Sequence, residues 1–293
     1  MIANYIQKQI CCIIISYNPD HLIYQLVETI KIQVNKIIIV DNNSDKNVQL
    51  KLNNLSKQNN ISVIFNEKNV GIGKALNQGI NLAHELGFLW VLTFDQDSKP
   101  YSNILDLLWN VYEMYPDKPN IGAIGINTIK KNLKIYYKVS SSKNYSIKDY
   151  LITSGSLLSI DAFNLIGGFR EDFFIDNVDL EYSLRLKENG KISLITSECG
   201  MEHEAGDAIS RRIIGIKVFS SNHNSFRRYY MARNHIILTK DYFLKFPYFI
   251  LKLNYFFLLS LIKIFLVEKS RKIKIQASLK GIKDGLVYKL KQQ

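Results

Sequence analysis

Through the first hundred or so residues, apolar positions come in short unbroken runs separated by longer polar segments with helical spacing. The runs are residues 10–16, 36–40, 61–65 and 89–93. Rich in β-branched residues and too short for helices, they predict buried strands. Between the first two, Leu22, Leu26 and Ile30 recur at helical spacing, and a second helix is predicted over 75–86. Tyr17-Asn18-Pro19-Asp20 stops the first strand. Proline has no N–H for a parallel ladder but suits the first turn of a helix. Four strand-then-helix units in succession predict a parallel, doubly wound sheet. Each strand ends on polar residues, at Asn18, Asp41, Asn66 and Asp95. Ligands of open α/β sheets bind at that edge, so four such ends predict one shared cleft.

The pattern then changes. Residues 121–127 and 134–139 predict strands joined by a polar turn, and Thr153-Ser154-Gly155-Ser156 leads into another. A helical stretch closes at Gly167-Gly168-Phe169, followed by Arg170-Glu171-Asp172 and an acid-rich segment from Phe173 to Leu186. From Val178 the apolar positions take helical spacing, which puts Asp176 and Asp179 on one face near the helix start. Acids there also serve as caps. Residues 242–267 are aromatic and aliphatic, interrupted by Lys245, Lys252 and Lys263. The longest uncharged stretch is 253–262, well under the roughly 20 residues needed to span a bilayer. An apolar helix edged with lysine predicts a membrane-interface element; the alternative is a helix packed on the rest of the chain.

Composition narrows the class. The 293 residues are 47% hydrophobic and 22% charged, with five prolines and no repeat, which predicts a large globular α/β domain with an appendage. The net charge of +12 is concentrated late. From Lys240 onward stand twelve Lys or Arg and three acids, Asp241, Glu268 and Asp284. Those basic residues alternate with large aliphatics and form no nucleic-acid reader, so an anionic membrane surface is the expected partner and nucleic acid is not. Three cysteines give no disulfide framework, and the start of the chain lacks the basic residues and cleavage site of a signal peptide. A cytoplasmic location, peripheral at the inner face of the cytoplasmic membrane, is expected.

The chemistry centres on Phe94-Asp95-Gln96-Asp97-Ser98. A strand's two-residue period aims both carboxylates past its end. Paired anions repel unless a cation or separate donors intervene, and a divalent metal carrying a phosphate meets that need. Gly71-Ile72-Gly73-Lys74 is neither a P-loop nor a dinucleotide fingerprint, since Leu76 stands where the third glycine belongs. It still offers backbone donors and a lysine to an anion, or simply a helix start. His203 lies outside any predicted helix, and Arg227-Arg228-Tyr229-Tyr230 with Arg233 reads as a solvated basic face or a clamp on phosphates or sugar.

In this order the stretches resemble the family 2 glycosyltransferases of GT-A fold, and within them bacterial rhamnosyltransferases. The matching segments are Ser16–Pro19, Val40–Ser44, Asn69–Gly73 with Asn77, Phe94–Ser98, Thr153–Ser156, Gly167–Phe169, Phe173–Arg185 and the Arg-Tyr-Tyr…Arg-Asn block. The resemblance covers about residues 10–240. It implies a mixed α/β sheet flanked by helices in a catalytic domain of residues 1–240, and a basic helical tail over 241–293. Asp41 would meet the nucleobase and Asp95 the ribose or diphosphate, with Tyr17, Asn18, Asn69, Gly71, Lys74, Asn77 and Gln96 completing the donor site. Asp97 would hold Mg²⁺ or Mn²⁺, with His203 as a further ligand. Asp179 falls where the family has its base, in a pair usually Glu-Asp; here Val178 replaces the glutamate, leaving Asp176 or Glu181 as helpers. Ser154, Gly155, Arg228, Tyr229 and Arg233 would contact acceptor or phosphates.

The implied reaction is inverting, metal-dependent transfer of L-rhamnose from dTDP-L-rhamnose to a lipid-linked or growing cell-surface glycan. UDP-galactofuranose, UDP-glucose and UDP-N-acetylhexosamine are alternative donors. A non-catalytic nucleotide-sugar scaffold is the alternative of another class. A dehydrogenase is disfavoured by the incomplete glycine fingerprint.

Overall fold

The computed structural model describes residues 9–130, 135–136, 144–202, 209–213 and 216–289. The chain forms two compact units, one of Met1–Phe174 with Val178–Glu204 and one of Ile175–Asn177 with Ala205–Gln293.

In the first unit, β1 (Ile10–Ser16), α1 (Leu22–Ile30), β2 (Lys36–Asp41), α2 (Lys46–Leu55), β3 (Ile61–Phe65), α3 (Ile72–Glu85) and β4 (Trp90–Asp95) give the four predicted strands, the first three each followed by a helix. Their strands are parallel in the order β3-β2-β1-β4. All seven residues of β1 are buried, which is why its sequence never alternates with polar residues. Each fully buried Ile or Phe contributes about 1.5–3 kcal/mol. Gly79 of α3 lets the helix close on the sheet: a Cβ there would stand 2.8 Å from Ile13. Burial raises the Cys12 thiol and pushes Cys11 up to about 12, so both remain protonated core residues.

The sheet continues through β5 (Lys99–Pro100), α4 (Ile104–Met114), β6 (Ile121–Lys130), β7 (Ile135–Tyr136), β8 (Tyr145–Lys148), β9 (Ser156–Ser159), α5 (Ile160–Ile166), α6 (Val178–Glu188) and β10 (Ile192–Glu202). The full order is β3-β2-β1-β4-β9-β6-β10-β5, with β7 on β6 and β8 on β10. β9 lies antiparallel between β4 and β6, and β5, β7 and β8 are also antiparallel to their partners. The sheet is therefore mixed, and the parallel pattern of the first hundred residues stops at β4. Of the predicted strand over 134–139, residues 135–136 form β7; 134 and 137–139 lie outside the described residues.

The second unit holds the hairpin β11 (Ile209–Ile213) and β12 (Ile216–Ser220), then α7 (Ser225–Tyr242), α8 (Pro247–Leu266) and α9 (Arg271–Val287). The Asn224 side chain caps α7 by accepting from Arg227 N at 2.9 Å. The domain boundary expected at residue 240 falls inside this continuous helix. α9 lies hard against α7 through glycine: a Cβ at Gly281 would overlap the Tyr229 carbonyl, and one at Gly285 would stand 2.7 Å from that of Arg233.

Candidate active site

The parallel register gathers the polar strand ends. Ser16 pairs with Asp41, Asp41 with Phe65, and Ile15 with Asp95. Strand order reverses direction between β1 and β4, so their connections diverge and open a crevice at the switch point. Tyr17, 51% exposed, lies there, and its backbone N–H donates to Gln96 Oε1 at 2.6 Å. Asn18, at φ 45°, receives the Asp45 N–H on its Oδ1 at 2.8 Å.

Asp41 is placed differently from its expected role against a nucleobase. It is fully buried, and its carboxylate accepts from Ser16 Oγ (3.0 Å), Ser44 N (2.9 Å), Ser44 Oγ (2.5 Å) and Gln49 Nε2 (3.5 Å). With those lone pairs engaged, the residue ties the ends of β1 and β2 together. Ser16 and Ser44 complete this cluster and were not singled out from the sequence; a small hydroxyl residue at each strand end was the available signal. Beside them, Asn42 Oδ1 accepts from Asn66 Nδ2 at 3.1 Å, and Asn66 and Gln78 exchange bonds of 3.0 and 2.8 Å.

Strand β4 ends at Asp95, so its two-residue period does not reach Asp97. A turn closed by Ser98 N→Asp95 O (3.1 Å) sets that residue instead. Asp95 and Asp97 are both exposed, whereas Ser98 is buried against Ser154, with 2.6 Å between hydroxyl oxygens. Ser154 Oγ also accepts from Asp95 N at 3.4 Å. Gly155, at φ 76°, brings β9 so close to β6 that a Cβ would stand 2.6 Å from Ile126. Ser154, which with Gly155 was expected to touch acceptor or phosphate, braces the carboxylate turn from inside. Among the described residues no group of three or more His, Cys, Asp or Glu is placed to hold a metal, and His203 lies outside those residues. Two exposed carboxylates nonetheless suit a hard divalent cation that takes its remaining oxygens from phosphate and water.

The glycine segment also has another use. Gly71 has φ 86°, and a Cβ there would lie 2.7 Å from the Phe174 backbone; one at Gly73 would lie 2.6 Å from Arg170 O. The Ile72 N–H donates to Phe174 O at 2.7 Å, and the Gly71 N–H to Asn69 Oδ1 at 3.0 Å. Asn77 grips the same segment, donating to Phe169 O (2.9 Å) and Glu171 Oε1 (3.2 Å) and accepting from Phe169 N (2.8 Å). Lys74 faces Glu171 at 3.3 Å. Of the donors expected for an anion, Lys74 and Asn77 face residues 169–174, and the Gly71 N–H is taken by Asn69. Gly71→Ala is expected to destabilise the first unit by about 3 kcal/mol, from left-handed strain plus overlap with Phe174. Urea unfolding checks it.

Beyond that seat, Phe174, Asp176 and Asn177 have φ of 56°, 63° and 61°. Three non-glycine residues in left-handed conformations, each costing about 1–3 kcal/mol, mark a segment held by its surroundings. Helix α6 starts at Val178, so Asp176 lies outside it, and Asp179 and Glu181 stand in its first turn. Asp179 is half-buried, and its Oδ1 accepts from Leu180 N at 2.8 Å. Glu181 is no helper, because it is buried and bound at both oxygens by Arg185 (3.0 and 2.7 Å).

Within the second unit, Asp176 is held by Arg227 through three contacts of 2.9–3.1 Å, and Asn234 Nδ2 donates to the carbonyls of Ile175 and Asp176 at 2.9 Å each. The residues expected to clamp phosphate or sugar are turned to other partners. Arg228 is buried against Glu268, Tyr229 OH donates to Asp284 at 2.8 Å, and Arg233 lies over Tyr288 and bonds Asn234 at 3.0 Å. Arg227, part of the basic face read from sequence, and Asn234 reach partners 51–59 residues away along the chain.

Comparison with known proteins gives the family and the fold. The profile described as Glycosyl transferase family 2 matches residues 11–168. The dTDP-rhamnosyl transferase RfbF of Shigella flexneri is 29% identical over 248 residues, covering 80% of each protein. The Pyrobaculum calidifontis mannosyltransferase PcManGT, solved with GDP-Man and Mn²⁺, superposes with a TM-score of 0.62 at 13% identity, over 97% of this chain and 77% of its own. S. aureus TarS 1–349 superposes with a TM-score of 0.52 at 15% identity, over 67% of this chain, which spans 60% of that structure. The fold is GT-A.

Proposed function

This chain belongs to glycosyl transferase family 2, and we propose that it transfers L-rhamnose from dTDP-L-rhamnose, with inversion, to a lipid-linked or growing cell-surface polysaccharide. The observation that carries the reading is the exposed Asp95–Asp97 turn at the switch point of the sheet. Similarity to a dTDP-rhamnosyl transferase supports the choice of sugar.

In this reading Asp97, with Asp95 beside it, would hold Mg²⁺ or Mn²⁺, and His203 would serve as a further ligand. Such an ion would supply Lewis-acid stabilisation of a departing diphosphate. The chain's own residues do the rest. Tyr17, exposed beside Gln96, offers a ring face to the base, while Asn18 and Asn69 flank the nucleoside. Asp41 acts through Ser16 and Ser44, keeping the floor of the site rigid. Asp179 takes the proton of the acceptor hydroxyl as that oxygen bonds to the anomeric carbon and the carbon–phosphate oxygen bond breaks. A single displacement from the side opposite the leaving group inverts the centre. The family match ends at residue 168, so the base assignment rests on the position of Asp179 in the first turn of α6. The protein works at the inner face of the cytoplasmic membrane, where such an acceptor is presented.

Thermal unfolding with dTDP, UDP and GDP compounds, each with Mg²⁺, Mn²⁺ or chelator, tests the reading. Stabilisation of about 2.7 kcal/mol is expected at a hundredfold excess over Kd for dTDP-L-rhamnose with metal, and is lost with chelator. Stabilisation by UDP or GDP sugars instead would replace the donor, and stabilisation by NAD(H) would overturn the proposal.

A further inference from the structure

Helix α8 presents most of its apolar surface to solvent. Over its 20 residues only Ile250 and Ile264 are buried. Tyr248, Leu251, Tyr255, Leu258, Ile262 and Phe265 are all exposed, Tyr248 to 83%. Their spacing alternates three and four residues, so they form one stripe along a helix about 30 Å long. The adjoining side is docked within the unit. Asn254 Oδ1 meets His235 Nε2 at 2.7 Å and Thr239 Oγ1 at 2.9 Å, and Phe257 stacks on His235 with ring centroids 4.1 Å apart. Lys252 and Lys263, eleven residues apart and so three turns along one line, border the stripe.

We propose that this stripe is a membrane-docking surface: α8 lies in the plane of an anionic lipid surface, its apolar row in the acyl boundary and its lysines among the headgroups. The surface deepens the peripheral location proposed above and rests on that reading only for the purpose of docking.

Two other occupants fit less well. A spanning helix would carry Lys252 and Lys263 within hydrocarbon, at up to about 2.5–3.5 kcal/mol each near its centre, together with Asn254 and its polar partners on α7. A second copy seated on the same stripe needs opposite charges along its borders. No acidic residue lies between Asp241 and Glu268, so two copies would set lysine against lysine. Anionic headgroups supply the missing sign, and the stripe's two tyrosines suit the wet boundary of a bilayer.

Sedimentation of the full chain with vesicles of phosphatidylcholine, alone or mixed with phosphatidylglycerol, tests the surface. Binding is expected to the mixed vesicles, weakened by raised salt and released by a high-salt alkaline wash. K252Q/K263Q is expected to weaken it about thirtyfold, at roughly 1 kcal/mol per lysine. Y255S/L258S is expected to abolish it while retaining helical content. Equal binding to neutral vesicles, binding indifferent to both variants, retention through the wash, or concentration-dependent dimers dissolved by Y255S/L258S would each overturn the proposal. The assay reads no turnover, so failure of the donor chemistry would show separately in the nucleotide panel.

Discussion

Asp179→Asn should lower turnover by about a thousandfold while leaving affinity for the nucleotide donor within roughly twofold, the signature of a lost general base. The substitution is isosteric, and the amide oxygen can still accept from Leu180 N, so the first turn of α6 is retained. What is lost is basicity toward the acceptor hydroxyl, needed only in the transition state. Steady-state kinetics with donor binding followed separately by calorimetry checks this. Parallel loss of donor affinity and turnover would make Asp179 a structural carboxylate and move the search for the base elsewhere. Asp97→Asn is the matched control: it should weaken the donor and remove its dependence on divalent metal, while Asp179→Asn leaves that dependence in place.

Glu268→Gln should destabilise the second unit by about 3–5 kcal/mol, because two buried cations would lose their shared anion. Glu268 is 1% exposed and bonded by Ser220, Arg228 and Lys274, the last at 2.9 Å. Lys274 is held further by the Asn222 carbonyl (3.2 Å) and Oδ1 (2.7 Å). Arg228 is 3% exposed, and its Nε has no hydrogen-bond partner among the described residues. Protection from hydrogen exchange in α7 and α9 is the measurement, since it reports on this unit alone. The same carboxylate sets a pH dependence. Burial works to raise its pKa, but the Ser220 and Lys274 hydrogen bonds and the Arg228 and Lys274 charges outweigh that and hold it below the ordinary 4.5. A lowered folded-state pKa means that the contribution is complete above about pH 4.5 and is lost as pH falls through the lower native value. Exchange protection should weaken across that acid window in the wild type and remain flat there in Glu268→Gln.

Both effects bear on how a basic, tyrosine-rich segment is to be read. From sequence alone, Arg228, Tyr229 and Arg233 are equally good as ligands for phosphate or as structural partners, because a guanidinium serves either purpose. Their partners, Glu268, Asp284 and Tyr288, stand on or beside α9, forty or more residues away. A likewise distant partner took Asn77 from the donor site: its amide is spent on Phe169 and Glu171, ninety-two and ninety-four residues on. Local spacing also misplaced Asp176, whose left-handed backbone keeps it out of α6.

The order of apolar runs and polar strand ends determined the first half of the fold, because a strand buried on both faces leaves an unbroken apolar trace and its exit must be polar. It also placed the Asp95–Asp97 pair at a ligand edge and marked the late apolar, lysine-edged segment as unlike a core helix. Tertiary structure alone decided which polar side chains stay free to act. A hydrogen-bonding group is available to a ligand only if nothing nearer in space has claimed it, and folding brings together claimants that lie far apart along the chain. That is why Asp41, Ser154 and Arg228 ended as internal braces, while Tyr17 and Asp97 remained exposed.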